Sequence, residues 1–195
     1  MNQGRRILSP LLALVIISAF AGCSHSPKME SSTASGSAST SATAQALNVL
    51  EAKIEPTQGN NVHGTVRFTG QPDGSVQVVA DLEGLTPNAQ HAIHVHETGD
   101  CSAPDAMSAG GHYNPEGKPH GLPPAEERHA GDLGNLTADA SGNAHYTITV
   151  NNISVSNGKN PVLGKAVIVH AKLDDGGQPT GNAGARLGCG VIQAK

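Results

Sequence analysis

A chain of 195 residues with 16 acidic and 12 basic side chains, a net charge of -4 and only 2% aromatic residues lacks both the basic footprint and the stacking platforms that nucleic-acid binding needs. The length suits one domain with a tail, since domains cluster around roughly 100 to 150 residues. Ten histidines are the compositional anomaly. Six of them lie between His91 and Asp132, in a Gly- and Pro-rich context that suits metal coordination better than core building.

At the N-terminus Arg5 and Arg6 precede the apolar run Ile7 to Ala21, which Pro10 interrupts. The run is shorter than the roughly 20 residues a spanning helix requires. A basic start, a short apolar run and small residues before Cys23 read as a secretory signal peptide over residues 1–22. Phe20-Ala21-Gly22-Cys23 resembles the lipobox of bacterial lipoproteins, in which the cysteine becomes the lipid-bearing first residue after cleavage. Cys23 is therefore expected to carry lipid and to anchor the protein to a membrane of the cell envelope, facing the periplasm or the exterior. Residues 23–46 hold almost no large apolar group and cannot offset ordering entropy by burial, so they read as a flexible tether. His25 within it is expected to be a solvated linker residue. With Cys23 set aside, Cys101 and Cys189 are free to form one disulfide in an oxidising compartment.

From residue 47 to residue 195 the texture becomes that of a folded domain, with short apolar segments divided by Gly, Pro, Asn and Asp. Ala46–Ile54, Val62–Phe68, Ser75–Leu82, Gln90–His96, Ala144–Asn151 and Val162–Ala171 have the length and β-branched or alternating character of strands. Segments 70–74, 83–87 and 138–142 carry the Asp, Pro and Gly of turns. No stretch holds a helical period. Many short antiparallel strands predict an all-β sandwich or flattened barrel, with a core of Val, Ile, Leu and Ala. Two segments, Glu97–Gly131 and Leu173–Gly188, break the rhythm. Loops this long without their own structure are uncommon unless functional or disordered.

His94-Val95-His96 ends a predicted strand, where alternation sends both imidazoles to one face and Val95 to the other, a ready two-nitrogen chelate. His112, His120, His129 and Asp132 follow, and His170 ends another apolar strand. A site of imidazoles alone suits copper, and three imidazoles with one carboxylate suit tetrahedral zinc. These seven side chains would fill two four-coordinate sites only if one histidine served both, and the spacing leaves open which. His91 has the opposite strand parity and is expected to make a structural hydrogen bond. His63 and His145 stand in predicted strands without partners.

The segments HVHETGD, GGHYNPEGKPHG, ERHAGDLGNL, VIVHAKLDD and TGNAGARLGCGVI, in this order between about Leu47 and Ile192, resemble the signature segments of copper/zinc superoxide dismutases. The resemblance implies a Greek-key β-sandwich, an architecture for which that enzyme is a standing example. It makes His94, His96 and His170 copper ligands, His112 the bridge between copper and zinc, and His120, His129 and Asp132 the remaining zinc ligands. It makes Asp174 the carboxylate linking a copper histidine to a zinc histidine, Arg186 the guide for the superoxide anion, and Cys101–Cys189 the disulfide anchoring the loop. The implied chemistry is alternating Cu(II)/Cu(I) oxidation and reduction of superoxide, with His112 leaving copper on reduction and carrying a proton. Gln178-Pro179 stands where the familiar eukaryotic enzymes carry a steering lysine, the segment from His170 to Arg186 is shorter than theirs, and Cys101 directly follows Gly99-Asp100. A homodimer is compatible with the resemblance, but eukaryotic dimer contacts are not carried over. A copper- or zinc-storing module on the same fold is the rival reading; it has no need of Arg186. A zinc hydrolase fits less well, because three imidazoles and a carboxylate leave no position on zinc for a nucleophilic water.

Overall fold

The computed structural model describes residues 49–195. The expected signal peptide, Cys23 and the expected tether lie outside the described residues. Eight strands follow in chain order: β1 Val49–Pro56, β2 His63–Gly70, β3 Val76–Glu83, β4 Gln90–His96, β5 Asp132–Thr137, β6 Ala144–Val150, β7 Ala166–His170 and β8 Arg186–Ala194. Among the described residues the helical element is a 3₁₀ turn at Met107–Ala109.

Alternation decides which way each strand faces. In β1, Leu50, Ala52 and Ile54 are buried while Lys53 and Glu55 face water, and in β3 the buried set is Val76, Val78, Ala80 and Leu82. These side chains join Phe68, Ile93, Val95, Leu133, Leu136, Val167, Val169 and Ile192 in one core. Fully burying such a side chain contributes about 1.5 to 3 kcal/mol.

All strand pairs are antiparallel, in the order β5-β4-β7-β8-β1-β2-β3-β6. β1, β2 and β3 are successive neighbours, and the chain then crosses to β4, so that β6 returns beside β3 and β7 beside β4. The all-β architecture is the one the strand and turn spacing predicts, and its Greek-key order is the one the resemblance implies. β8 joins the two halves, pairing with β7 through Ala166↔Val191 to His170↔Arg186 and with β1 through Leu50↔Ala194 to Pro56↔Gly188. The outer strands approach each other too, and Tyr146 Oη on β6 donates to Leu133 O on β5 at 2.7 Å. The result is a nearly closed barrel.

Two strands depart from the sequence expectation. β5 reads Asp-Leu-Gly-Asn-Leu-Thr and β8 reads Arg-Leu-Gly-Cys-Gly-Val-Ile-Gln-Ala, so glycine interrupts the alternation in both. In β8 the glycines answer to packing: a Cβ on Gly190 would lie 2.4 Å from Lys53 O, and one on Gly188 would lie 2.7 Å from Ile54 Cγ2. The second long segment therefore ends earlier than Gly188, and Arg186 is the first residue of a strand. The expected strand Val162–Ala171 is shorter, because Gly164 at φ 78° turns the chain before Ala166.

β7 is buried on both faces. Val167 and Val169 enter the core, while Ala166 and Ile168 pack under the long loop after β4 with Ala106, Ala109 and Cys189. Cys101 and Cys189 pin that loop to β8 through a disulfide, as expected, with Cα atoms 5.8 Å apart. The bridge spans 88 residues, for which loop-closure entropy gives on the order of 4 to 5 kcal/mol. Cys101→Ser with Cys189→Ser is expected to lower the urea midpoint accordingly; an unchanged midpoint would refute the contribution.

Candidate metal centre

β4 sends Ile93 and Val95 into the core, so His94 and His96 share the opposite face, beneath the long loop. His170 stands at the end of β7, beside β4. The loop returns His112 to β4 through a bridge to His96, and Asp132 opens β5 opposite His94. Two buried donor groups result: His94, His96, His112 and His170, and His112, His120, His129 and Asp132. Donor atoms within each lie within 4.8 Å of one another, and His112 belongs to both. His112 is therefore the one side chain placed to serve both groups.

Hydrogen bonding at the outer ring atoms sets the tautomers. A carbonyl or carboxylate oxygen can only accept, so the nitrogen facing it carries the proton. His94 Nε2 donates to Asp174 Oδ2 at 2.9 Å, His120 Nε2 to Asp174 Oδ1 at 2.9 Å, His96 Nδ1 to Gly110 O at 3.0 Å and His170 Nδ1 to Gly184 O at 3.4 Å. The opposite nitrogens, His94 Nδ1, His96 Nε2, His120 Nδ1 and His170 Nε2, are buried lone pairs without a hydrogen-bond partner. Orphaned buried acceptors are costly; a metal ion in the all-histidine group would satisfy those of His94, His96 and His170, and one in the mixed group that of His120.

The mixed group has the spacing of a closed site. His112 Nδ1 lies 2.9 Å and His129 Nδ1 3.2 Å from Asp132 Oδ1, His120 Nδ1 lies 3.0 Å from Asp132 Oδ2, and the His112 and His129 Nδ1 atoms are 3.3 Å apart. Donors arranged tetrahedrally about an ion with bonds of 2.0 to 2.1 Å stand roughly 3.3 Å apart. The close approach of His120 Nδ1 to Asp132 lacks hydrogen-bond geometry, which is expected when two lone pairs point at a common centre.

Burial pulls His94 down to about 4, His96 to about 2 and His170 to about 3, so all three imidazoles are neutral at pH 7, the form in which a lone pair is free to bind a metal. Burial would raise Asp174, but hydrogen bonds from His94 and His120 outweigh it and hold the carboxyl below its usual range. Asp132 is also lowered, because hydrogen bonds from His112 and Gly121 and the nearby histidines outweigh its burial. Histidines with depressed folded pKa values stabilise the fold fully above their unfolded value near 6.5. That stability is lost as pH falls toward the folded values, by about 1.4 kcal/mol per pH unit for each group. The urea midpoint of the metal-free protein is therefore expected to drop steeply from pH 6.5 to pH 4.5; a flat profile would contradict this.

Arg186 lines a cleft of about 520 Å³ with His96, His112, His170, Met107 and Thr180. Its Nη1 donates to Ala106 O at 2.6 Å and its Nη2 to Gly110 O at 2.7 Å, and Thr57 Oγ1 donates to its carbonyl at 2.7 Å. The carbonyl of Gly110 thus serves both Arg186 and His96.

Other supporting residues had escaped notice in the sequence. The Asn135 side chain accepts from Asp174 N at 2.7 Å and donates to Asp174 O at 2.9 Å, and Glu97 Oε1 accepts from Gly111 N at 3.0 Å. Gly181, at φ 74°, leaves room for Asp174: a Cβ there would lie 2.1 Å from Asp174 Oδ1. Side chain-to-backbone contacts of this kind leave no mark in residue spacing. His91 donates from Nδ1 to His170 O at 2.8 Å, the structural bond expected of it. His63 and His145 are exposed outside both groups, but each has an acidic neighbour that the sequence had not indicated, Glu83 at 3.5 Å and Asp81 at 2.6 Å.

Fold and site together define a Greek-key β-barrel protein with two buried donor groups joined by one imidazole. A family profile described as copper/zinc superoxide dismutase (SODC) matches residues 62–192, and the chain belongs to that family. It is also similar to a solved structure described as that of the clock protein EA4. The two share 38% identity with a TM-score of 0.70, over 77% of this chain and 96% of that one.

Proposed function

We propose that this protein dismutates superoxide, with copper held by His94, His96, His112 and His170 and zinc by His112, His120, His129 and Asp132. The observation that carries the reading is one imidazole common to two buried donor groups, beside a cleft that holds a fixed guanidinium. An all-imidazole set suits copper, and three imidazoles with a carboxylate suit zinc.

When bound, copper supplies one-electron chemistry that oxidises one superoxide to dioxygen and reduces a second, with two protons, to hydrogen peroxide, while zinc supplies only charge and geometry. The chain supplies the rest. Arg186 spends two of its five N–H donors on Ala106 and Gly110, so the guanidinium is fixed and retains donors for a small anion. His112 keeps Nδ1 toward Asp132, which leaves Nε2 as the atom at which it holds a proton for the reduced product. Asp174 fixes the rings of His94 and His120 together, so the two groups keep one geometry.

Metal content and superoxide-dismutation rate of the purified chain, before and after copper and zinc loading, test the reading. Turnover is expected only with copper bound. Copper bound without turnover would replace it with the storage reading.

The segment Phe20 to Cys23 supports placement in the cell envelope on a lipid anchor. Cys23→Ala is expected to abolish partition into detergent and to change gel mobility. Unchanged behaviour would exclude the anchor.

A further inference from the structure

Gln178 lies on the connection between β7 and β8 and is itself exposed, yet both ends of its amide engage one buried residue. Its Oε1 accepts from His120 N at 3.1 Å, and its Nε2 donates to His120 O at 2.8 Å. Freezing a long glutamine side chain in one rotamer costs conformational entropy. A reciprocal pair of hydrogen bonds to the N–H and C=O of one residue, as between paired strands, is of a size to offset that.

The same connection holds His120 a second time, because Asp174 Oδ1 accepts from its Nε2 at 2.9 Å. The backbone of His120 is thus gripped by Gln178 and its ring by Asp174. Beyond Gln178 the chain continues through Thr180, Ala183 and Gly184, which line the cleft with Arg186. The carbonyl of Gly184 accepts from His170 Nδ1 at 3.4 Å. One short connection therefore touches both donor groups and forms a wall of the cleft.

We propose that Gln178 is a positioning residue that clasps the backbone of His120, so that filling the mixed donor group and ordering the β7–β8 wall of the cleft are one event. This rests on the reading of that group as a zinc site. A hydrogen-bonded clasp thus stands where the familiar eukaryotic enzymes carry a steering lysine, and the position acts on site geometry instead of on charge.

The test uses the full chain as wild type, Gln178→Met and Gln178→Glu. Methionine keeps the length and removes both hydrogen bonds; glutamate keeps an acceptor for His120 N but sets a carboxylate against His120 O. Competition titration with Zn²⁺, absorption spectra with Co²⁺ at the mixed group, and amide exchange of the zinc-loaded protein are measured. In Gln178→Met, Zn²⁺ affinity is expected to fall by about 10-fold, as for other outer-shell partners. The Co²⁺ bands should shift, and exchange at His120 and residues 180–184 should quicken. Gln178→Glu should lose at least as much affinity. Wild type that takes up no Zn²⁺ at the mixed group overturns the zinc reading itself. Wild type that binds Zn²⁺, with Gln178→Met unchanged in affinity, spectrum and exchange, overturns the clasp.

Discussion

Arg186→Ala is expected to lower the superoxide-dismutation rate by roughly 10- to 100-fold, within the range by which a focused field raises the encounter rate of a small anion. Both metals should remain bound, since no donor atom is lost. Burial pulls the Arg186 guanidinium below its usual range against the opposing charge of Asp105, but arginine stays charged at any relevant pH. The half-buried charge stands in the cleft with His96, His112 and His170, where it is screened less than a surface charge. The wild-type rate should therefore fall with ionic strength, and that slope should flatten in the variant. Removing the side chain also frees the carbonyls of Ala106 and Gly110, so Arg186→Lys is the control. Lysine retains the charge but not the fork, and should recover much of the salt dependence with part of the rate. Full activity in Arg186→Ala would exclude the role.

Asp174→Asn is expected to weaken metal retention by 10- to 100-fold in at least one of the two groups. The carboxylate accepts one N–H on each oxygen, from His94 and from His120. An amide of the same shape presents one acceptor and one donor, so one imidazole meets an N–H with its own N–H. That ring must turn over, giving up the tautomer that aims its lone pair inward, or remain buried and unpaired. A buried unpaired polar group costs about 1 to 3 kcal/mol, and the urea midpoint of the metal-free protein should fall by a corresponding amount. The Asn135 side chain still holds the backbone of residue 174, so the loss belongs to the carboxylate and not to an unmoored loop. Copper and zinc content against a graded chelator measures the effect; retention equal to wild type would refute the link.

Of the six strands legible in the sequence, β1 and β3 alternate against one face of the core, while β7, buried on both faces, shows as a continuous apolar run. The two that escaped notice, β5 and β8, carry glycine where alternation calls for a side chain. In β8 the reason lies in β1, whose Lys53 O and Ile54 come too close for a Cβ, and no local pattern reports a neighbour more than a hundred residues away. The candidate ligands were legible as types: seven histidine and aspartate side chains, two of them on one strand face. Asp174 and Arg186 followed only from the resemblance, because a lone aspartate and a lone arginine have no distinguishing spacing. Asn135 and the clasp of Gln178 had no signal at all, since each acts through backbone atoms of a distant segment.

Residue types and local alternation thus determined an all-β domain, a loop rich in imidazoles and a chemistry that suits two metals. Tertiary structure decided that His112 serves both groups and which nitrogen of each ring turns inward. It also decided that a segment near the far end of the chain closes the site. The physical reason is that a strand's face is set by period-two geometry within a few residues. A ligand's tautomer is set by whichever acceptor the fold brings behind it, such as Asp174 behind His94 and His120 or Gly110 behind His96.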